Sequence, residues 1–129
     1  MIQLDIVTPT KKLLSKACTA VNIPGYKGEL GVMPEHTNLV TTIEVGLVRY
    51  ENEAGRGKVA VRGGFAQIQN NKIMLLVDEG IEEAQINAEH LKNQSQELDR
   101  KLIAAEIGPD EREILFKERI WLNACLELV

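Results

Sequence analysis

Two segments decide the fold of this chain: Gly28-Glu29-Leu30-Gly31-Val32-Met33-Pro34-Glu35-His36 and Arg62-Gly63-Gly64-Phe65-Ala66-Gln67-Ile68. Both combine glycine with short apolar runs, a composition typical of strands and their turns. The second segment leads into Asn70-Asn71, which resembles a two-residue hairpin turn. Neither segment carries an activated nucleophile, a paired acid and base, or metal ligands at suitable spacing. They therefore indicate a β-rich fold with contact surfaces rather than a reaction site.

The glycines of the first segment predict an exposed loop. Gly28 and Gly31 can both adopt positive φ, so the chain is expected to turn tightly there and to present Glu29 and Leu30 at the tip. Pro34 then fixes one backbone angle and removes a hydrogen-bond donor. Such a loop suits a contact surface, although a plain strand connection explains the same residues.

The glycine pair of the second segment is interpreted as a bulge or a corner within a strand run. Its apolar faces are expected to come from Val59, Val61, Phe65 and Ile68. Apolar and polar residues alternate through most of the first two-thirds of the chain, between turn signals. Many short strands at this spacing predict a sandwich or a small barrel.

Composition and charge limit the classes of protein to which this chain can belong. Of 129 residues, 44% are hydrophobic and 4% aromatic, so we expect one modest core packed mainly by aliphatic side chains. The net charge of −4 argues against a nucleic-acid partner and against an anionic membrane surface. No apolar run reaches the roughly 18 residues of a membrane span, and the first residues do not resemble a signal peptide. A cytosol-like compartment is favoured.

The cysteines and histidines do not follow a metal-site pattern. Cys18 and Cys125 lie near opposite ends of the chain without neighbouring ligands, so each is predicted to be a small buried apolar side chain. His36 and His90 fall in different predicted domains. One histidine beside Glu35 falls short of the roughly three or four ligands that a metal needs. Neither a metal nor a cofactor is expected.

After Gly80 the sequence changes from strand to helix periodicity. Asn87 can cap a helix that is predicted to run to about residue 106, where Ile107-Gly108-Pro109 stops it. The apolar stripe of this helix consists of Leu91, Leu98, Leu102, Ile103 and Ala105. Gly108 is expected to terminate the helix, and Asp110 with Glu113 is expected to form a capping box for a second helix.

The second helix has an apolar face too broad to stay exposed. It consists of Ile114, Leu115, Trp121, Leu122, Cys125, Leu126, Leu128 and Val129. Two such helices are predicted to fold back as an antiparallel hairpin. Because two stacked helices bury little surface alone, the hairpin needs a third surface, either its own sandwich or a partner. A hairpin that can pack on either of these two surfaces can act as a conformational switch.

The order Gly-x-x-Gly-x-x-Pro-x-His at residues 28–36, followed by Gly-Gly-Phe-Ala at residues 63–66, closely resembles the amino-terminal domain of the epsilon subunit of F-type ATP synthases. The mitochondrial delta subunit is the equivalent. The resemblance implies a mainly β, flattened and barrel-like sandwich of about ten strands over residues 1–83, and a regulatory two-helix hairpin over residues 84–129. It also implies a non-catalytic rotor subunit, which binds gamma and the c-ring so that torque passes between proton translocation and ATP synthesis.

The resemblance also implies roles for the motif residues. Glu29, Leu30 and Gly31 match the loop that touches the polar loops of the c-ring, with a solvated turn as the alternative. His36 matches a histidine on the surface that faces gamma, and a structural histidine fits it equally well. The structural motif positions are Gly28, Pro34, Gly63, Gly64 and Phe65.

Some bacterial relatives bind ATP through an Ile/Leu-Asp-x-x-Arg-Ala stretch at the start of the helical domain. The equivalent here is Ile86-Asn87-Ala88-Glu89-His90-Leu91. Asn87 lacks the carboxylate, and His90 lacks the permanently charged fork of arginine that suits phosphate. An ordinary helix cap is therefore favoured, and ATP binding by Ile86, Asn87 and His90 is not expected.

The resemblance implies that the hairpin can extend along gamma, contact the alpha and beta subunits of the catalytic head and block ATP hydrolysis. The candidate regulatory residues here are Arg112, Lys117, Arg119, Trp121, Leu122 and Leu126. The family uses basic residues for this contact, and this chain has few of them. The charged residues otherwise form a solvated helix face, on which Glu113 and Lys117 are expected to make an i,i+4 pair.

The resemblance implies a peripheral membrane protein on the cytoplasmic face of a bacterial inner membrane or the stromal face of a thylakoid membrane, without direct insertion. The alternative from another class is a free-standing small-molecule sensor or β-sandwich enzyme, with its pocket between sandwich and hairpin. The poor supply of catalytic residue types argues against that alternative. Co-elution of the purified protein with a gamma-like partner separates the two.

Overall fold

A computed structural model describes residues 1–25, 28–33, 38–103 and 108–128 of the chain. Strands fill its first two-thirds and helices the remainder. The elements are β1 (Ile2–Val7), β2 (Lys12–Cys18), β3 (Ala20–Gly25), β4 (Gly28–Val32), β5 (Leu39–Thr42), β6 (Gly46–Asn52), β7 (Gly55–Gln69), β8 (Lys72–Glu82), a 3₁₀ turn (Glu83–Gln85), α1 (Ala88–Ile103) and α2 (Pro109–Leu126). The predicted change of periodicity near Gly80 is confirmed, since β8 ends at Glu82.

The strands form a sandwich that is not closed into a barrel. Their order is β2-β1-β8-β7-β6-β3-β4, and β5 pairs with β7 off this path. The 15-residue strand β7 pairs with β6 through residues 55–61 and with β5 through residues 65–68. The described residues therefore contain eight strands, whereas the resemblance implies about ten.

The bend in β7 falls at the glycine pair. Gly63 and Gly64 have φ of 67° and 121°, and a Cβ on Gly64 would overlap the backbone carbonyl of Leu76 on β8. The register between β7 and β8 is the same on both sides, so the pair is a corner and not a bulge. Core positions are odd-numbered before the corner and even-numbered after it: Val59, Val61, Ala66, Ile68. Phe65 consequently points outward, with 57% of its surface exposed, instead of adding to an apolar core face.

The core of the sandwich is mainly aliphatic, as the composition predicts. It includes Ile2, Leu4, Ile6, Leu14, Cys18, Val21, Ile23, Val32, Val48, Val59, Val61, Ile73, Leu75 and Val77. One carboxylate, Asp5, is buried beside it on β1, and its Oδ1 accepts a hydrogen bond of 2.6 Å from the Ser15 hydroxyl of β2. This hydrogen bond lowers the pKa of Asp5 despite its burial, so the ionised group links the two strands.

Local chemistry explains the turns and helix ends. Asn70 and Asn71 have φ of 52° and 59°, the positive values of the predicted two-residue hairpin turn. The second helix begins differently from the expectation, because Gly108 is its N-cap in extended conformation and Pro109 is the first helical residue. The predicted capping box is therefore wrong: Asp110 already lies within the first turn, and no side chain caps this end.

The two helices form the predicted hairpin, which packs on the sandwich through a second apolar cluster. Its buried members are Leu47, Ala60, Leu91, Leu98, Trp121, Leu122, Ala124, Cys125 and Leu128. The predicted faces were too wide, because Ile103 and Ile114 are 81% and 67% exposed. Within the described part of the chain, neither helix is long and apolar enough to cross a membrane.

Candidate functional site

The first candidate surface is β4, an edge strand that pairs with β3 alone within the described residues. Here the expectation of a loop with a leucine at its tip is wrong, because residues 28–32 continue in register with β3. Gly28 has a φ of 112° and starts the strand, whereas Gly31 does not have positive φ. Alternation along β4 turns Leu30 toward the core, so Glu29 and the backbone of Gly31 are the exposed elements.

Glu29 is connected to the hairpin through one arginine. The Nη1 atom of Arg49 on β6 lies 3.3 Å from Oε1 of Glu29, and its Nη2 lies 4.0 Å from Oε2 of Glu127 at the end of α2. All three side chains are about half exposed or more, so these ion pairs contribute little stability. They show, however, that the exposed edge of β4 lies beside the end of the hairpin.

A second candidate surface is an apolar row on the outside of the sandwich. Phe65 of β7 lies opposite Thr42 of β5 and Leu76 of β8, and Val40 lies nearby on β5. Phe65, Leu76 and Val40 are 57%, 53% and 69% exposed. We call these three residues the outer apolar row. Exposed neighbouring apolar side chains of this size are typical of protein contacts.

Pro34 and His36 lie outside the described residues, and the roles expected for them stay predictions. In the sequence, His36 precedes β5 by three residues, and β5 contributes Val40 to the outer apolar row.

The third candidate site is a cleft of about 480 Å³ between sandwich and hairpin. It is lined by Ile86, Asn87 and His90, which the resemblance compares with a nucleotide motif, and by Lys11 and Arg62 from the sandwich. Asn87 uses its side-chain oxygen to cap α1, and Arg62 is already paired with two carboxylates. The cleft therefore offers few free groups for a triphosphate.

The hairpin itself is held by apolar burial and by charge. Trp121, Leu122 and Cys125 are buried, as expected for an apolar face, and Leu126 is partly buried. Burial raises the pKa of Cys125 to about 11, with further contributions from the nearby carboxylates of Glu79 and Glu118. The thiol is therefore neutral and unreactive at physiological pH.

The charged residues of α2 divide into two groups. Lys117 makes the predicted i,i+4 pair with Glu113 at 3.8 Å, and Arg112 is exposed. Arg119 does not belong to the solvated face: its guanidinium donates to the Ser95 backbone carbonyl at 2.8 Å and pairs with Asp99. Residue 119 faces α1, so its charge holds the two helices together and is not part of the solvated face. No set of three or more potential metal ligands is found among the described side chains.

Comparison with known proteins identifies relatives of this chain. A family model described as the beta-sandwich domain of the ATP synthase Delta/Epsilon chain matches residues 1–83. The ATP synthase epsilon chain of Desulforamulus reducens is 38% identical over 120 residues, which span 92% of this chain and 91% of the relative. That of a Hydrogenobaculum species is 36% identical over 113 residues, spanning 88% and 82%.

Solved structures show the same fold. A chain in the cryo-EM structure of Euglena gracilis mitochondrial ATP synthase, containing OSCP, F1 and the c-ring, matches with a TM-score of 0.79 at 24% identity. The match covers 97% of this chain and 81% of that one. A chain from the central stalk and c-ring of Tetrahymena thermophila mitochondrial ATP synthase gives a TM-score of 0.66 at 10% identity, covering 98% and 94%.

Proposed function

The chain belongs to the ATP synthase delta/epsilon family, and from this premise we propose that it is the epsilon subunit in the central stalk of a proton-translocating F-type ATP synthase. It performs no catalysis of its own. It binds gamma and the c-ring and helps to transmit rotation between them. The family match carries the proposal and sets aside the alternative of a free-standing sensor or enzyme.

The c-ring contact is proposed at β4. Glu29 and the Gly31 backbone form the exposed part of an edge strand, which begins at Gly28, where a φ of 112° favours glycine. An edge strand offers unpaired backbone groups to a partner, and Glu29 adds a charge suited to polar loops. Leu30 supports this surface from the inside by packing on the core.

Cross-linking in the assembled enzyme tests this orientation. A cysteine in place of Glu29 is expected to form a disulfide with a cysteine in the polar loop of a c subunit. The matched control is Glu53→Cys, an exposed position in the turn between β6 and β7, at the other end of β6 from the Gly25–Gly28 pair of β3 and β4. Both native cysteines are buried and do not interfere. Cross-linking of Glu29→Cys to gamma alone, or equal cross-linking of the control, contradicts the proposal.

The gamma contact is proposed on the sandwich, at the outer apolar row with His36 beside it in sequence. The row lies on the part of β7 that follows the corner, whereas the hairpin covers the part that precedes it. Gamma can therefore bind the sandwich while the hairpin is docked. Burial of such a row is worth about 25 cal/mol per Å² before the cost of association.

We propose a peripheral location at the membrane that contains the c-ring, on the cytoplasmic face in a bacterium or the stromal face in a chloroplast. The hairpin is proposed as a regulatory element that contacts the alpha and beta subunits when it leaves the sandwich. Trp121, Leu122 and Leu126 are the apolar side chains that would become available then.

A further inference from the structure

The hairpin is attached to the sandwich mainly by one of its helices. α2 packs on β6 and β7, whereas α1 packs chiefly on α2. The apolar part of the contact brings Trp121, Leu122 and Cys125 of α2 together with Leu47 and Ala60 of the sandwich. The free energy of hydrophobic burial is non-directional, so a charged contact at the same interface can add orientation to this packing.

One side chain of the sandwich adds direction to this contact. The Nη2 atom of Arg62 on β7 donates to Oε2 of Glu118 on α2 at 2.8 Å, and Nη1 lies 3.6 Å from Oε2 of Glu79 on β8. The Arg62 guanidinium also lies over the ring of Trp121, 5.8 Å from its centroid. We propose that Arg62 is the latch of the hairpin, a positioning residue that sets the equilibrium between a docked and a released α2.

The two carboxylates give the latch its reversibility. Arg62 and Glu79 are opposite each other on paired strands, so they remain neighbours whether or not the hairpin is docked. Release of α2 moves Glu118 into water and leaves Arg62 paired with Glu79. No charge is then left buried without a partner, so the large penalty for breaking a buried ion pair does not arise.

The strength of the latch follows from its exposure. The side chains of Arg62 and Glu118 are 33% and 39% exposed, so solvent screens much of their attraction. Removal of this ion pair should raise the fraction of molecules with a released α2 about fivefold, as long as that fraction is small. An effect of this size suits a reversible contact better than a permanent one. In an assembled ATP synthase this equilibrium would control the supply of released hairpin, a consequence that rests on the proposed function.

The isolated full-length chain provides the test. Trp121 is the single tryptophan, so quenching of its emission by acrylamide reports exposure of α2, and hydrogen exchange of the α2 amides gives a second readout. Arg62→Gln should increase both. Arg56→Gln is the matched control, since Arg56 pairs with Glu51 at 2.8 Å within the sandwich and is 84% exposed. It should change neither readout.

A second variant separates a latch from a general structural role. Glu118→Gln should reproduce the effect of Arg62→Gln, and the double variant should add little to either. Exchange in β8 should stay at the wild-type level throughout. Wild-type exchange of α2 in Arg62→Gln, additive effects in the double variant, or faster exchange of β8 would each overturn the proposal. Because no partner subunit is present, these outcomes do not depend on whether the chain works in a central stalk.

Discussion

The Oδ1 atom of Asn87 accepts a hydrogen bond from the backbone N–H of His90 at 3.1 Å. Asn87 is thus the N-cap of α1, and the two residues are connected through backbone geometry rather than through a shared ligand. His90 itself lies in the first turn of α1 and lines the cleft. The stretch that the resemblance compares with a nucleotide motif is therefore an ordinary helix start in this structure.

We expect the full-length chain to show no saturable ATP binding at millimolar concentration. The cleft lacks the carboxylate and the fixed cation of the motif, and the guanidinium of Arg62 is already paired with Glu79 and Glu118. Isothermal titration calorimetry with MgATP measures this directly. The double variant Asn87→Asp/His90→Arg keeps a capping oxygen and restores both groups, so it should bind more tightly than wild type. Micromolar affinity of the wild-type chain would overturn the expectation.

The outer apolar row gives a prediction about gamma. Phe65→Asp should weaken binding of the isolated gamma subunit by about tenfold or more, because it places a charge at the centre of a buried contact. Phe116→Asp on α2 makes the same change at a phenylalanine of similar exposure, 54% against 57%. It should leave the affinity within about twofold. Equal losses for the two variants would refute the assignment of gamma to this row.

A chain that ends at Glu83 should remain folded. The buried residues of the sandwich core all lie between Ile2 and Val77, and the hairpin adds a separate cluster around Trp121. Urea denaturation followed by circular dichroism should show one cooperative transition. Exposure of Leu47 and Ala60 should make this fragment associate at high concentration, which sedimentation would detect. A broad, non-cooperative transition would contradict the division at residue 83.

The raised pKa of Cys125 predicts a loss of stability at high pH. Its pKa is about 11 in the folded chain, compared with 9.0 for an exposed thiol, so the unfolded chain loses its proton first as the pH rises. The contribution of this neutral thiol is complete below pH 9.0 and declines toward pH 11, by at most about 1.4 kcal/mol per unit. Unfolding free energies at pH 8 and pH 10 should therefore differ more for wild type than for Cys125→Ala. Equal differences would show that the thiol is not buried as a neutral group.

Much of the fold follows from local chemistry that the sequence displays. The turn at Asn70-Asn71, the cap at Asn87 and the hairpin of two apolar-striped helices each depend on residues close together in the chain. The errors arose where tertiary contacts decide. Pairing with β3 drew residues 28–32 into a strand, and the corner at Gly63-Gly64 changed which side of β7 is buried.

The candidate surfaces were less predictable than the fold. Arg62 and Glu118 are 56 residues apart, and no periodicity relates them. The sequence of α2 assigns Arg119 to a charged helix face, whereas in the structure it contacts Ser95 and Asp99 on the other helix. A resemblance of motifs indicated Glu29 as a contact residue, whereas its link to Glu127 through Arg49 required the packed structure.

The hairpin must leave the sandwich before its apolar face can act on another subunit. In the docked arrangement Trp121 and Leu122 are buried, while Phe116 and Ile120 are 54% and 51% exposed. Residues 120–129 contain no lysine or arginine, and Glu127 is their single charged side chain. A contact made by this end of α2 therefore depends on apolar burial and not on attraction to acidic groups.

Deletion of residues 110–129 should accordingly raise ATP hydrolysis by the assembled enzyme, because it removes the apolar side chains through which α2 would contact another subunit. Moderate salt should change hydrolysis by the intact enzyme very little, since screening weakens exposed ion pairs far more than apolar contacts. Salt also weakens the Arg62–Glu118 ion pair between sandwich and hairpin. This weakening favours release of the hairpin, which is the inhibitory form, so it cannot relieve inhibition of hydrolysis. Unchanged hydrolysis after the deletion would show that the hairpin is no brake here. Strong relief by salt would instead assign the block to the exposed cations Arg112 and Lys117.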